Sequence, residues 1–471
     1  MVSKESLRKL SKEDLVDMCY NLTIMVDKLT IQVQVLQKEV DELKKRKPKN
    51  SSNSSLPPSK DLFRLKNQSL RKKSDRKSGG QPGHKGETLQ MSETPDETIH
   101  HMPDAICPFC GKTHDPESAE AITKRQVIDI PVVKAKVTEH LVYSTKCTCG
   151  KTSTGTFPAD VVAPVQYGKN LTAFTAYLST RQYVPFSRLS ELVERITGIS
   201  MSQGTIYNLL NKTTNAVLPI YNSIKEDILK AHAVGGDETG LKVQKRNHWA
   251  WVWQTVRETY IVVSKNRGFA TIQNTFPDGL PNAIYVSDSL SAQLKTATKS
   301  NQLCLAHILR ELNYFIEQYQ SQWAIEMKQL LQNAIGLKHK MTLDQYTEPL
   351  KARSEILQDF KLLIQQQLPE EIPKLRALQK RLIKHEYHMF NFLFYPDVPS
   401  DNNGSERAIR NVKVKQKVSG HFRSERGAEM YAILQSVFDT FIKRGADPYR
   451  QISFAINLAA SKNAFQYNRL R

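Results

Sequence analysis

Three short acidic stretches, spread over about 170 residues, constrain this chain most: Gly-Gly-Asp237-Glu-Thr, Val-Ser-Asp288-Ser and Pro-Ser-Asp401-Asn-Asn-Gly-Ser-Glu406-Arg. The first ends a run with strand character, residues 231–243. The second ends an apolar strand, Ala283-Ile-Tyr-Val-Ser. The third opens a helix, with Asp401 or Asn402 as N-cap and Glu406 in its first turns. Two strand ends and a helix start can meet at one edge of a sheet, which predicts an α/β core. Carboxylates gathered there repel one another unless a divalent cation sits between them. Two Mg²⁺ ions (or Mn²⁺ in their place) on Asp237, Asp288 and Glu406 would activate an attacking oxygen and stabilise the leaving oxygen of a phosphodiester. Glu238 rivals Asp237 for this role, and Asp401 rivals Glu406.

Charge names the partner. A formal net charge of +20 over 471 residues implies a polyanion, nucleic acid first and a membrane surface second. The length suggests roughly three or four domains. No run of about 18 apolar residues exists to span a bilayer. The N-terminus lacks an apolar signal region, so a cytoplasmic, nucleoid-associated protein is expected. Six cysteines in such a chain point to metal binding or free thiols rather than disulfides.

Residues 1–46 carry Leu15, Leu22, Leu29, Leu36 and Leu43 at a spacing of seven. Cys19, Val26, Val33 and Val40 follow the first four by four residues. Leu at d with mostly Val at a predicts a two-stranded parallel coiled coil, hence a homodimer or higher assembly. Residues 47–98 read as a basic flexible linker; the stretch 44–90 holds fourteen Lys or Arg against three acids, a net +11. Its Ser, Asn, Pro and Gly content cannot bury enough apolar surface to order it, and it suits an arm lying along phosphates.

Residues 99–163 contain Cys107-Pro-Phe-Cys110-Gly and Cys147-Thr-Cys149-Gly. Two tight pairs, each followed by Gly, predict one structural zinc ion on four thiolates. The alternation of Arg125 to Tyr143 predicts a strand pair between the knuckles. In residues 164–230, a helix from Phe186 to Thr197, a Gly198 turn and a second helix capped by Ser202 outline a helix-turn-helix. Gln203, Thr205, Tyr207 and Asn208 are its recognition residues, and a helical connector covers 216–230.

Residues 231–471 form the catalytic core. Strands at 231–243, 248–254 and 260–264, a helix, a strand ending at Asp288, a short helix and a strand at 302–304 give the order βββαβαβ, which resembles the ribonuclease-H-like fold. The 117 residues between Asp288 and Glu406 exceed a simple connection and predict an α-helical insertion at about 305–398. That lobe either shields DNA or packs the core. Cys304 and His307 lack two further nearby ligands, which favours a core or DNA-contacting role over zinc. Arg407, Arg410, Lys413, Lys415, Lys417 and Arg423 would line a DNA cleft. Arg410 and Lys413 share a helix face with Glu406, so a Glu406–Arg410 surface pair worth about 0.2–0.5 kcal/mol is the plain alternative.

Several segments carry a more specific likeness: Ser78-Gly-Gly-Gln-Pro-Gly-His-Lys-Gly86, the cysteine knuckles, Asp237-Glu-Thr-Gly240 with His248-Trp-Ala-Trp251, Cys304-Leu-Ala-His307 with Arg310, and Asp401-Asn-Asn-Gly-Ser-Glu406-Arg407. Over nearly its whole length the chain resembles a bacterial insertion-sequence transposase of the DDE class, the IS sixty-six type. That resemblance implies a multidomain protein: coiled coil, small zinc-binding β module, helical helix-turn-helix domain and ribonuclease-H-like core with a helical insertion. It implies Asp237, Asp288 and Glu406 as the triad, binding to terminal inverted repeats, strand transfer into double-stranded target DNA, and small companion proteins of the same element. The alternatives are a non-catalytic domesticated DNA-binding repressor and a structure-specific nuclease of the same fold.

Overall fold

The structure, a computed structural model, describes residues 11–45, 50, 53, 83 and 89–469, apart from 116, 118 and 132. Most of the basic segment 47–98 lies outside the described residues. The chain divides into two compact units: residues 1–68, 142–189 and 202–471 form one, and 69–141 with 190–201 form the other. Among the described residues, no helix is long and apolar enough to cross a membrane.

Helix α1 (Lys12–Lys45) spans the heptad region. The Ser11 hydroxyl accepts the Asp14 N–H (3.1 Å), while the Asp14 carboxylate accepts the Ser11 N–H (3.2 Å). This reciprocal cap starts the helix. Leu15, Leu22, Leu29 and Leu36 stand exposed along it.

The alternating stretch 125–143 does not form the expected strand pair. Its backbone enters no ladder among the described residues, and Val127, Ile130 and Val137 are almost fully exposed. Alternation without a neighbouring strand leaves N–H and C=O groups unpaired, and then the pattern alone forms no strand. The short strands that do form, β1 (Ser144–Lys146) and β2 (Thr152–Thr154), are antiparallel and flank the second cysteine pair.

Helices α2 (Lys169–Thr180) and α3 (Phe186–Thr197) follow. Helix α4 runs unbroken from Gln203 to Lys230, so the expected separate connector is its continuation. Pro219 would normally cost a helix interior about 3 kcal/mol. Ile206, Leu210, Thr213, Val217, Tyr221, Ile224 and Ile228 keep one buried stripe running past it. That stripe outweighs the lost hydrogen bond.

The core sheet has the order β5-β4-β3-β6-β7. Its strands are β3 (Ala233–Val243), β4 (Arg246–Gln254), β5 (Thr259–Ser264), β6 (Leu280–Ser287) and β7 (Thr298–Leu303). The first three are antiparallel; β3, β6 and β7 are parallel. Helices α5 (Phe269–Thr275) and α6 (Ser291–Leu294) complete the expected βββαβαβ order. The β3–β4 hairpin turns on Gln244 and Lys245, both left-handed (φ 49° and 65°). Phe422 holds this costly turn: its carbonyl accepts the Gln244 N–H at 2.8 Å, and its N–H donates to Lys242 at 2.9 Å.

Period-two alternation gives the sheet two apolar faces. Trp251, Trp253, Tyr260 and Tyr285 point to one. There Phe276 meets Trp253 edge-on at 5.0 Å, and Tyr221 of α4 stacks on Tyr260 at 4.5 Å. Leu241, Val243, Ala250 and Val252 point to the other, against Ala408, Val412, Ala428 and Ala432. Fully burying side chains of this size stabilises by about 1.5–3 kcal/mol each.

The helical insertion comprises α7 (Leu305–Tyr319), α8 (Gln322–Lys340), α9 (Lys351–Gln365) and α10 (Pro373–Lys384). It has its own core around Leu312, Trp323, Met327, Phe360 and Phe392. Lys338 donates to the carbonyls of Phe392, Tyr395, Pro396 and Val398 at 2.7–3.3 Å, tying down the return to the sheet. Helices α11 (Asn403–Ser419), α12 (Glu425–Lys443) and α13 (Pro448–Arg469) close the chain.

Candidate active site

Asp237 sits in the middle of β3 rather than at its end, at the point where parallel pairing with β6 stops. Gly235 lies level with Val286. Two residues further along each strand bring Asp237 level with Asp288, immediately beyond β6. Asp237 pairs with Val252 and Glu238 with Trp251, so these neighbouring acids leave β3 on opposite faces.

The two glycines before Asp237 permit two close approaches. A Cβ at Gly236 would stand 2.0 Å from the buried Tyr285 hydroxyl. One at Gly235 would stand 2.7 Å from the Ser405 hydroxyl and 3.0 Å from the Asn402 amide oxygen. That second contact seats the start of α11. Asn402 is buried; its Nδ2 donates to the Gly236 carbonyl (2.7 Å), and its backbone N–H donates to the Cys304 sulfur (3.2 Å). The Ser405 hydroxyl donates to the Asn402 Oδ1 (2.6 Å), and the Glu406 N–H donates to the Asn402 carbonyl (3.2 Å). Asn402 thus ties the segments of Asp237 and Glu406 together, and Cys304, whose N–H donates to the Ser287 carbonyl at 2.8 Å, links them to the segment of Asp288.

Electrostatics are strained at this spot. Burial raises the Asp237 carboxyl well above its ordinary range; Asp288, Glu238 and Glu406 add to it, against the Glu238 N–H bond that lowers it. Burial, then Glu238, pushes Asp288 up to about 7. Asp288 Oδ1 and Glu406 Oε1 are buried atoms without a hydrogen-bond partner. Arg310 approaches Glu406 to 3.6 Å, and this ion pair stands where the plain alternative to a DNA contact had placed Arg410. Hard oxygen donors left unsatisfied in this way fit Mg²⁺ or Mn²⁺.

Oxygens of Asp237, Glu238 and Asp288 lie within 4.8 Å of one another, the one such group of three metal-ligating side chains among the described residues. Glu238 nevertheless differs from Glu406. Its carboxylate accepts Arg267 Nη2 (2.8 Å), Arg267 Nε (3.1 Å) and Gln293 Nε2 (3.2 Å). Its charge is therefore already answered by hydrogen bonds, whereas Glu406 Oε1 has no hydrogen bond and only Arg310 at 3.6 Å.

The remaining expected residues divide. Arg407, Arg410, Lys417 and Arg423 are exposed, and half-buried Lys413 donates to the Gly240 carbonyl. Lys415 does not face a cleft: it is buried, and its ammonium donates to the Ser179 carbonyl at 2.9 Å. On α4, Ser202 caps the Thr205 N–H (3.0 Å); Gln203 and Asn208 are exposed, and Thr205 and Tyr207 are half-buried. Cys304 and His307 belong to the core, where burial pushes the thiol up to about 12 and pulls the imidazole down to about 4.

Each cysteine pair forms a tight turn. Cys107 N–H donates to Lys112 O (2.8 Å), and Gly111, left-handed at φ 72°, donates to Cys107 O (2.9 Å). Cys147 N–H donates to Lys151 O (2.7 Å), and Gly150 (φ 85°) donates to Cys147 O (2.8 Å). Backbone N–H groups of Phe109 and Cys110 lower the Cys107 thiol, and that of Cys149 lowers Cys147. Donors aimed at sulfur favour the thiolates that zinc requires. The two pairs belong to different units.

Arg267, Gln293 and the bridging role of Asn402 escaped the sequence reading. Only Asn402 gave a signal, as one of two candidate caps. The family model described as "Transposase IS66 family" matches residues 164–430, and a "Family of unknown function (DUF6444)" matches residues 6–90. No curated protein matches the chain.

Proposed function

Because the chain belongs to the IS66 transposase family, we propose that it is a DDE transposase whose ribonuclease-H-like core cuts and joins DNA at Asp237, Asp288 and Glu406. The observation that carries this reading is the pair of buried oxygens without a hydrogen bond, on Asp288 and Glu406, beside an Asp237 that burial first, and then Asp288, Glu238 and Glu406, push toward its protonated form. Asp237 and Asp288 would hold one divalent ion and Asp237 and Glu406 the other. When bound, the two ions supply Lewis acidity to the attacking and leaving oxygens of a phosphodiester.

The chain's own residues do the positioning. Asn402 fixes Glu406 against β3, and Lys338 fixes the segment before it. A first hydrolysis would release a 3′-OH at each element end, and that hydroxyl would then attack target DNA. Arg407, Arg410, Lys417 and Arg423 supply positive charge on the exposed side of α11 and just beyond it. Gln203, Thr205, Tyr207 and Asn208 would read the terminal inverted repeats. The exposed leucines of α1 would pair with those of a second copy, and each cysteine knuckle would offer a pair of thiolates to zinc.

The test is cleavage and joining of DNA carrying this gene with both flanks, in Mg²⁺, comparing the wild type with Asp288→Asn. Discrete nicks at two inverted repeats plus joined products, lost in the variant, support the reading. Binding without metal-dependent nicks favours a repressor, and nicks without joining favour a nuclease.

A further inference from the structure

Glu238 is the acid that the two-metal reading leaves without work. Its side chain is 4 % exposed, an expensive place for a carboxylate. The group it answers is the opposite: the Arg267 side chain is 58 % exposed. An ordinary surface pair contributes little and needs no buried partner. This pair is asymmetric, with the acid sunk beneath the sheet edge and the guanidinium held at its rim.

The holding is rigid on both sides. Gln293, fully buried, donates to the second Glu238 oxygen at 3.2 Å. The loop carrying Arg267 is pinned through Asn266. Its carbonyl accepts the Trp251 indole N–H (3.1 Å) and the Thr271 hydroxyl (2.8 Å), and its side chain accepts the Gly268 N–H (2.6 Å). Arg267 spends Nε and one Nη2 hydrogen on Glu238 Oε1, which leaves three of its five N–H donors for another acceptor. Nη1 makes no hydrogen bond among the described residues.

The three exposed N–H donors left on Arg267, beside the acids that would hold the metals, suit an anionic oxygen such as that of an incoming phosphodiester. A planar guanidinium presented at the rim matches a phosphate in charge and in donor geometry.

We propose that Arg267, oriented by Glu238 and Gln293, binds the phosphodiester acted on beside Asp237 and Asp288, and that Glu238 is its anchor rather than a metal ligand. The inference rests on the DDE reading above. Its test separates the two. Tb³⁺ luminescence titrations report the metal site without turnover. Binding of fluorescein-labelled DNA carrying this gene's flanks, in Ca²⁺ and across a salt series, reports phosphate contact.

Arg267→Ala should weaken DNA binding about tenfold or more and flatten the salt dependence by about 0.9 in slope, one phosphate contact. Arg267→Lys should restore the slope and part of the affinity. Glu238→Gln should reproduce the Arg267→Ala loss while binding Tb³⁺ within twofold of wild type, and the double variant should lose no more than either single one. A Glu238→Gln protein that loses Tb³⁺ as Asp288→Asn does, or an Arg267→Ala protein with unchanged slope, overturns the proposal. Unchanged Tb³⁺ binding in Asp288→Asn overturns the metal reading instead, and the salt slope still decides on Arg267.

Discussion

Removing a candidate catalytic acid should make this protein more stable. A carboxyl whose ordinary pKa of 3.8 rises to about 7 binds its proton more tightly folded than unfolded. The resulting penalty is absent below pH 3.8, grows as pH rises, and is complete above pH 7. At ~1.36 kcal/mol per pH unit, the raised Asp288 carboxyl costs the folded state about 4 kcal/mol at pH 8 and about 2 kcal/mol at pH 5, where only the unfolded chain is ionised. Asp288→Asn keeps the shape and removes the charge. In EDTA, calorimetry should therefore place the core transition of the variant above that of wild type at pH 8, by ~2–4 °C for each kcal/mol. The gap should roughly halve at pH 5. Mg²⁺ should raise the wild type at pH 8, by about 2.7 kcal/mol at a hundredfold excess over Kd, and leave the variant nearly where it was. A variant less stable than wild type at pH 8 in EDTA, or a gap that ignores pH, would refute the reasoning.

Two further outcomes are expected. Gly236→Ala drives a Cβ into the fully buried Tyr285 ring, 2.5 Å from two of its carbons, and should lower stability by about 1–3 kcal/mol or more on chemical denaturation, with partial recovery in Gly236→Ala/Tyr285→Leu. Cys107→Ser should cut the zinc content of purified protein, measured by atomic emission, while Cys304→Ser leaves it unchanged.

Legibility followed periodicity. The strands of the sheet and the helices of the insertion were readable because each buries a face, and burial imposes a period of two or 3.6 on the sequence. The same rule misled at residues 125–143, where alternation exists but no neighbouring strand completes it. At the candidate site, the motifs around Asp237, Asp288 and Glu406 drew the reading to these acids. Which arginine answers Glu406 was not readable: Arg410 is near in sequence, but Arg310 arrives from another helix. The burial of Lys415 and the Arg267–Glu238 pair likewise depend on distant segments, and spacing along the chain carries no trace of them.

The Asn402 tie bridges 166 positions, to a carbonyl beside Asp237. Asp237 and Asp288 leave the ribosome well before Glu406 does. At ~5–20 residues per second, the 118 residues from Asp288 to Glu406 take about 6–24 s to synthesise. Throughout that interval the nascent chain carries two of its three acids and no seat for the third. On the DDE reading proposed above, a chain that stops upstream of α11 lacks both Glu406 and the Asn402 tie, and would hold no complete metal site.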